Sequence, residues 1–432
     1  MKRFSSIKLE MVLIFLFSIA IFSSNSFVSI QAQKIVNPIN ISNNTGQSVY
    51  PDVAVGLNNM VYVAWQDNNN NNSGGINNTK GYDIYFKRSI NGGASFETHP
   101  IKLSDKSYIG SSEFPQIAAS GNNVYVVWQY HVGQKSDIYF KRSINGGASF
   151  EANTIKLGYV LHFANNPQIA ASGNNVYVVW QDNATKGKNT FFTKSNDGGN
   201  TFGKVVDLGN NNNNNNSNPT NTNVSYPKVA AYGNNVYVTW DAYSSDYNTK
   251  TGKGFKINKV IFRASNDDGI NFGKTIEINH DVSSPSSSLQ IAAASSDGLY
   301  FLWDNYNNSS SNSDILFKKT VYGANTFGKV VDLSNTDGDS KNPDIAVGTS
   351  LSLSENKKNS NVFVLWEDDS AVNWEIFLTK STDGGNTFGN VVNLSNNEEY
   401  SSCPHIATNG DNAYVVWEDG DLDNREIFFM KA

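Results

Sequence analysis

Cysteine is nearly absent from these 432 residues; Cys403 stands alone. A single thiol excludes an internal disulfide framework, and its setting, "SSCPHIAT", reads as a small buried filler rather than a nucleophile. Arginine is also scarce. Beyond Arg3 there are only Arg88, Arg142, Arg263 and Arg425, and the formal net charge is −6. No basic patch is present, which excludes nucleic acid as a partner. The histidines (His99, His131, His162, His280, His405) have no metal-ligand spacing, and no metalloprotease signature occurs. Long apolar runs are missing but for one: "MVLIFLFSIAIF" (11–22), which comes after the basic start "MKRFSSIKLE". With Ala32 as a small residue before a cut, residues 1–32 read as a signal peptide, the alternative being an uncleaved anchor. Their removal takes away Lys2, Arg3, Lys8 and Glu10, a net +2, and leaves −8. N-x-S/T sequons at Asn40, Asn43, Asn71, Asn77, Asn183, Asn223, Asn307 and Asn393 agree with a secreted or cell-surface glycoprotein. The membrane would then be met only through the N-terminal segment.

What is abundant is repetition. An apolar strand ending in tryptophan recurs seven times, at Trp65, Trp128, Trp180, Trp240, Trp303, Trp366 and Trp417, with spacings of 63, 52, 60, 63, 63 and 51 residues. Each unit opens at Pro51, Pro115, Pro167, Pro227, Pro343 or Pro404, with Leu289 in the fifth. A first strand comes next, carrying small alanines suited to a crowded axis, and "GNN" or "GDN" turns reverse most chains into the tryptophan strand. That second strand, "VYVVW", is apolar without alternation, as expected of a strand covered on both faces. A third strand ("DIYFKRS", "EIFLTKS") and a short fourth ("IKLS", "VVNLS") complete the unit. Four antiparallel strands repeated seven times predict a seven-bladed β-propeller over residues 33–432. The seventh unit stops after its third strand, and "IVNPINIS" (35–42) reads as the missing fourth, so the first strand is expected to close the last blade.

Between strands three and four lies a second motif, Ser-x-Asp-x-Gly-x-Thr-Phe. It is complete at Ser195, Asp197, Gly199 and at Ser381, Asp383, Gly385, and nearly so at Ser265, Asp267, Gly269. Asparagine replaces the acid at Ser89, Asn91, Gly93 and at Ser143, Asn145, Gly147, while "TVYGANTF" (320–327) has lost it. The short side chain accepts from backbone N–H groups of its own turn, and glycine supplies the strained dihedral. This resembles the Asp-box (BNR) repeat of the sialidase-like propeller superfamily, across roughly residues 36–432. The resemblance implies a propeller fold with the boxes as structural staples. A sialidase would further need an arginine cluster, a tyrosine–glutamate pair and an acid/base. One rim arginine, Arg425, cannot make a carboxylate clamp, and no residue here maps onto that catalytic set.

Loop alternation predicts two rims. The box rim also carries the "GNN" turns, and the opposite rim carries the long variable loops, where a ligand site is expected. Candidates on this loop rim are the acids after the tryptophans, Asp67, Asp182, Asp241, Asp304, Glu367, Asp368, Glu418 and Asp419, together with Trp374 and Arg425. These acids either face a funnel or cap strand ends. A second acid opens strand three (Asp83, Asp137, Asp314, Glu375, Glu426). Asp419, Asp421 and Asp423 alternate as calcium ligands do, but Asn424 and Met430 break the EF-hand pattern; no other cofactor is expected. The functional expectation is a non-catalytic binding module for a glycan, envelope component or extracellular protein. The alternatives are a diverged sialidase-like hydrolase using Asp241, Asp304 and Glu367, and a structural envelope protein.

Overall fold

In every tryptophan strand the apolar run that ends at the tryptophan is buried, and the reason is visible in its neighbours. In the computed structural model the described residues form seven four-stranded antiparallel sheets. The residues described are 37–68, 81–104, 110–158, 163–184, 187–209, 222–248, 253–278, 286–294, 298–307, 312–320, 326–352, 357–371, 373–421 and 424–432. Seven apolar clusters hold them, each built from two adjacent blades: Tyr62 and Phe86 of the first pack with Val124, Val126 and Trp128 of the second. The same exchange recurs around the ring until Val416 and Phe429 of the seventh meet Val61 and Trp65 of the first. Non-alternating apolar sequence is therefore the correct pattern for a strand with a blade on either side.

The innermost strands are Ser48–Val55, Ser111–Ser120, Asn165–Ser172, Thr222–Tyr232, Ser286–Ala293, Ser340–Ser352 and Ser401–Asn409. Each touches the next, and the last touches the first, so they surround one axis. Ala54, Ala118, Ala170, Ala230, Ala292, Ala346 and Ala407 stand at one register on them.

Closure is made as the repeat predicts. Ile39–Asn40 pairs antiparallel with Glu426–Lys431, so that the last sheet contains both ends of the propeller. Ile41 is 2% exposed. Glu426 accepts from the Ser42 hydroxyl and, at 3.0 Å, from the Asn44 N–H. Lys87 of the first blade donates to the Ile41 carbonyl at 2.8 Å.

The box turns lie between the third and fourth strands. In each complete or asparagine-bearing box the serine hydroxyl accepts from the glycine N–H at 2.8–3.0 Å. Asp197 accepts from the Thr201 N–H and hydroxyl at 2.9 and 2.6 Å, and those bonds hold its carboxyl well below the usual range. Asn271 in the same way brings Asp267 down to about 2. The box phenylalanine reaches further than its own hairpin. Phe150, Phe202, Phe272 and Phe388 stand edge-on to Phe86, Phe140, Phe192 and Phe317 of the preceding blade at 4.8–5.1 Å, and Phe96 does so to Phe429 across the closure. Residues 321–325 of the degenerate box lie outside the described residues.

Candidate functional site

At the loop rim all seven innermost strands carry the same irregularity. A register shift occurs at Val49/Asp52 and at its six equivalents. Within it the residue before the buried proline or Leu289 has a positive φ: Tyr50, Phe114, Asn166, Tyr226, Ser288, Asn342 and Cys403, at 47–52°. Bulky residues rarely adopt this conformation, and such strain persists only where surrounding structure over-determines it. In three blades the residue after the tryptophan supplies that determination. Gln66 accepts from the Phe114 N–H at 2.7 Å, Glu367 from Cys403 at 2.6 Å and Glu418 from Tyr50 at 2.7 Å, each reaching into the next blade. Glu367 and Glu418 thus clip blades together.

The next residue serves its own blade. Asp67, Asp368 and Asp419 accept from the indole N–H of Trp65, Trp366 and Trp417 at 3.0–3.3 Å. They also take the hydroxyls of Ser48, Ser340 and Ser401 at 2.6–2.9 Å. Asn44, Thr336 and Asn397 complete the three sets. Asp182 is buried at the matching position in the third blade, whereas Asp241 and Asp304 of the fourth and fifth directly follow their tryptophans, at the position of Gln66, and are buried there. The acids opening strand three anchor the short fourth strand and its exit: Asp83 binds Lys102 and Ser104, and Asp137 binds Lys156. Glu375 takes Ser395 and the Asn397 N–H, and Glu426 latches the N-terminal strand.

The alternating acids do not share one environment. Asp419 is buried among three donors, Asp421 is exposed, and Asp423 lies outside the described residues. Among the described residues no group of three or more histidine, cysteine, aspartate or glutamate side chains is disposed to hold a metal ion.

A continuous patch does form where blades six, seven, one and two meet. Lys341 lies 5.1 Å from the Trp374 ring, which is 6.4 Å from that of Tyr400. The Arg425 guanidinium sits 5.4 Å over Tyr400 and donates to Glu418 at 2.7 Å. Glu418 holds Tyr50, whose ring meets Phe114 edge-on at 4.7 Å. Burial, reinforced by Cys403 and Glu418, pushes the Tyr50 hydroxyl up to about 12, so it remains a donor at neutral pH. Burial also raises the Cys403 thiol, helped by Glu418 and Glu367, which suits a packed thiol and not a nucleophile. Glu367 is raised by burial to about 7, with its second oxygen 3.1 Å from the Asn342 amide.

Two residues along each inner strand lies a second tier. Asp52, Gln116, Gln168, Lys228, Gln290, Asp344 and His405 occupy it in blade order. His405 Nδ1 stands 3.5 Å from both Asp52 and Asp344, and Lys228 is electrostatically coupled to the same two acids. The acids also cross-link blades, accepting from the Ile117 and Ile406 N–H groups at 2.8 and 2.9 Å. Burial pulls His405 down, but Asp344 and Asp52 outweigh it and leave the imidazole raised. Asp52 is raised by burial to about 6. Neither tier stands out in the sequence. The available signal is the pair of residues flanking each repeat proline, which looks unremarkable until the strands converge.

These features define a seven-bladed β-propeller with a charged axis and an aromatic loop rim. Among solved structures it is similar to a protein of unknown function from Dyadobacter fermentans, with 11% identity, a TM-score of 0.52, and 92% of this chain and 98% of that chain covered. It is also similar to two sialidase-like propellers. One is the leech intramolecular trans-sialidase (15% identity, TM-score 0.46, 94% and 70% covered) and the other the intramolecular trans-sialidase of Ruminococcus gnavus (12%, 0.47, 90% and 95%). At these identities the likeness concerns the fold alone. No family model matches the sequence, and no curated protein matches it.

Proposed function

We propose that this chain is an exported or cell-surface binding module that takes a glycan, envelope component or extracellular protein on its loop rim. The observation carrying this reading is the run of rings from Trp374 through Tyr400 and Tyr50 to Phe114, with Arg425 held between them. Rings that keep one face accessible suit stacking on sugars or on partner chains; Tyr50 is 42% and Tyr400 38% exposed. Export rests on the basic, then apolar, N-terminal segment. Non-catalysis is supported by the carboxylates. Both oxygens of Glu367 and both of Glu418 already accept hydrogen bonds from the protein, and one arginine paired to Glu418 leaves no clamp for a substrate carboxylate.

One observation favours the hydrolytic alternative: a carboxyl near 7, as at Glu367, suits a general acid. The test is a glycan array run in parallel with fluorogenic glycosides on the chain from residue 33. Binding without turnover, weakened by Tyr400→Ala and by Trp374→Ala, is the expected result. Turnover abolished by Glu367→Gln would reverse the assignment, and ordered self-assembly with neither binding nor turnover would point to a structural envelope protein.

A further inference from the structure

We infer that the ligand is an uncharged carbohydrate whose end enters the mouth of the axis at the ring of left-handed residues. This rests on the rim-binding reading and narrows it to one place and one ligand class. The ring is accessible: none of its seven side chains is fully buried, and Tyr50 and Tyr226 are 42% and 53% exposed. It is continuous in part, since Tyr50 touches Phe114 and the Ser288 hydroxyl lies 3.3 Å from the Asn342 amide oxygen. Its chemistry is rings, amides and hydroxyls with a single thiol, and no member bears a charge at neutral pH. Aromatic faces stack on the C–H faces of a sugar, while amides and hydroxyls exchange hydrogen bonds with its hydroxyls.

Beneath the ring, Asp52 and Asp344 face His405 and Lys228, and Asp241 acts on Lys228 as a third acid. That set offers no excess of positive charge to an acidic ligand. Among the described residues, two cations beside the mouth are committed as well, Arg425 to Glu418 and Lys341 to Asp339. An acidic sugar entering here would exchange hydration for cations already engaged by Glu418 and Asp339, and burying a carboxylate on those terms is costly. A neutral sugar meets no such penalty.

The probe is a printed array of neutral and acidic glycans, followed by calorimetric titration of the strongest binder. Tyr226→Asn and Phe114→Asn remove the rings and keep the backbone, because asparagine tolerates positive φ. Tyr232→Ala is the control: it removes an exposed tyrosine at the far end of the strand that carries Tyr226. The expected result is a neutral glycan as the strongest binder, an affinity loss of about tenfold in Tyr226→Asn, no change in Tyr232→Ala, and unaltered melting in all three. An acidic glycan as the strongest binder overturns the inference. So does neutral binding that falls in Tyr400→Ala but not in either mouth variant, an outcome that leaves the rim reading intact. Failure of every glycan on the array overturns the inference and leaves the rim reading only its protein or envelope ligand.

Discussion

At the scale of the residue, one position recurs with different chemistry and the same task. Gln66 in the first blade, Glu367 in the sixth and Glu418 in the seventh each accept the N–H of a left-handed residue in the neighbouring blade. A neutral amide therefore suffices for the clip, and the charge of Glu367 is an excess feature whose burial raises it to about 7. The folded chain then holds that proton more tightly than the unfolded chain, whose glutamate titrates at about 4.3. Stability must fall as pH rises from about 4.3 to about 7, because in that window the unfolded state binds fewer protons. Glu367→Gln, which copies the solution of the first blade, should flatten this decline and leave the protein at least as stable at pH 7.5 as the parent. Urea midpoints measured from pH 4.5 to 8 check it; an unchanged slope would mean that another group carries the decline.

At the scale of the element, the box turn is a staple between blades, and its glycine shows why. Gly199 has φ +77°, and a Cβ there would lie 2.6 Å from Phe140 Cζ in the preceding blade. Gly121, in the hairpin turn of the second blade, has φ +60° with nothing within 4 Å. Both turns need left-handed backbone, but only the first is pressed against a neighbour. Gly121→Ala should cost about 1 kcal/mol through backbone conformation alone. Gly199→Ala should cost about 3 kcal/mol or more, since the phenylalanine must also shift. Chemical denaturation of the two variants against the parent measures the difference, and equal losses would show that the blade contact contributes little. The hairpins, the tryptophan strands and the box consensus were all legible, because each is dictated by residues within about ten positions of one another. The reach of the box phenylalanine into the neighbouring blade was not, because no local pattern specifies which blade lies alongside.

At the scale of the whole molecule, the ring depends on a short segment joining its two ends. Ile41 is buried against the last blade, its carbonyl is held by Lys87, and Ser42 and Asn44 are bound by Glu426. Ile41→Ala should destabilise the domain by about 2–4 kcal/mol. Loosening this segment also uncovers the edge of Glu426–Lys431, a template for pairing with other chains. Thermal melting together with light scattering checks both effects; a loss below about 1 kcal/mol with no scattering would show that closure relies on the apolar clusters alone. The order of four strands, the count of seven blades and the shared last sheet could all be read from the chain, because repeated hydrophobic pattern and turn chemistry are local and recur in register. The loop-rim position of Arg425 and Trp374 could be read as well, since loop alternation assigns rims. Which carboxylates are already occupied, and which residues meet at the axis, could not. Asp52, Lys228, Asp344 and His405 lie up to 353 positions apart (405 − 52) and come together only when seven inner strands converge. Local energetics wrote the blades into the sequence, whereas the mouth and the charged set beneath it exist only once the ring has closed.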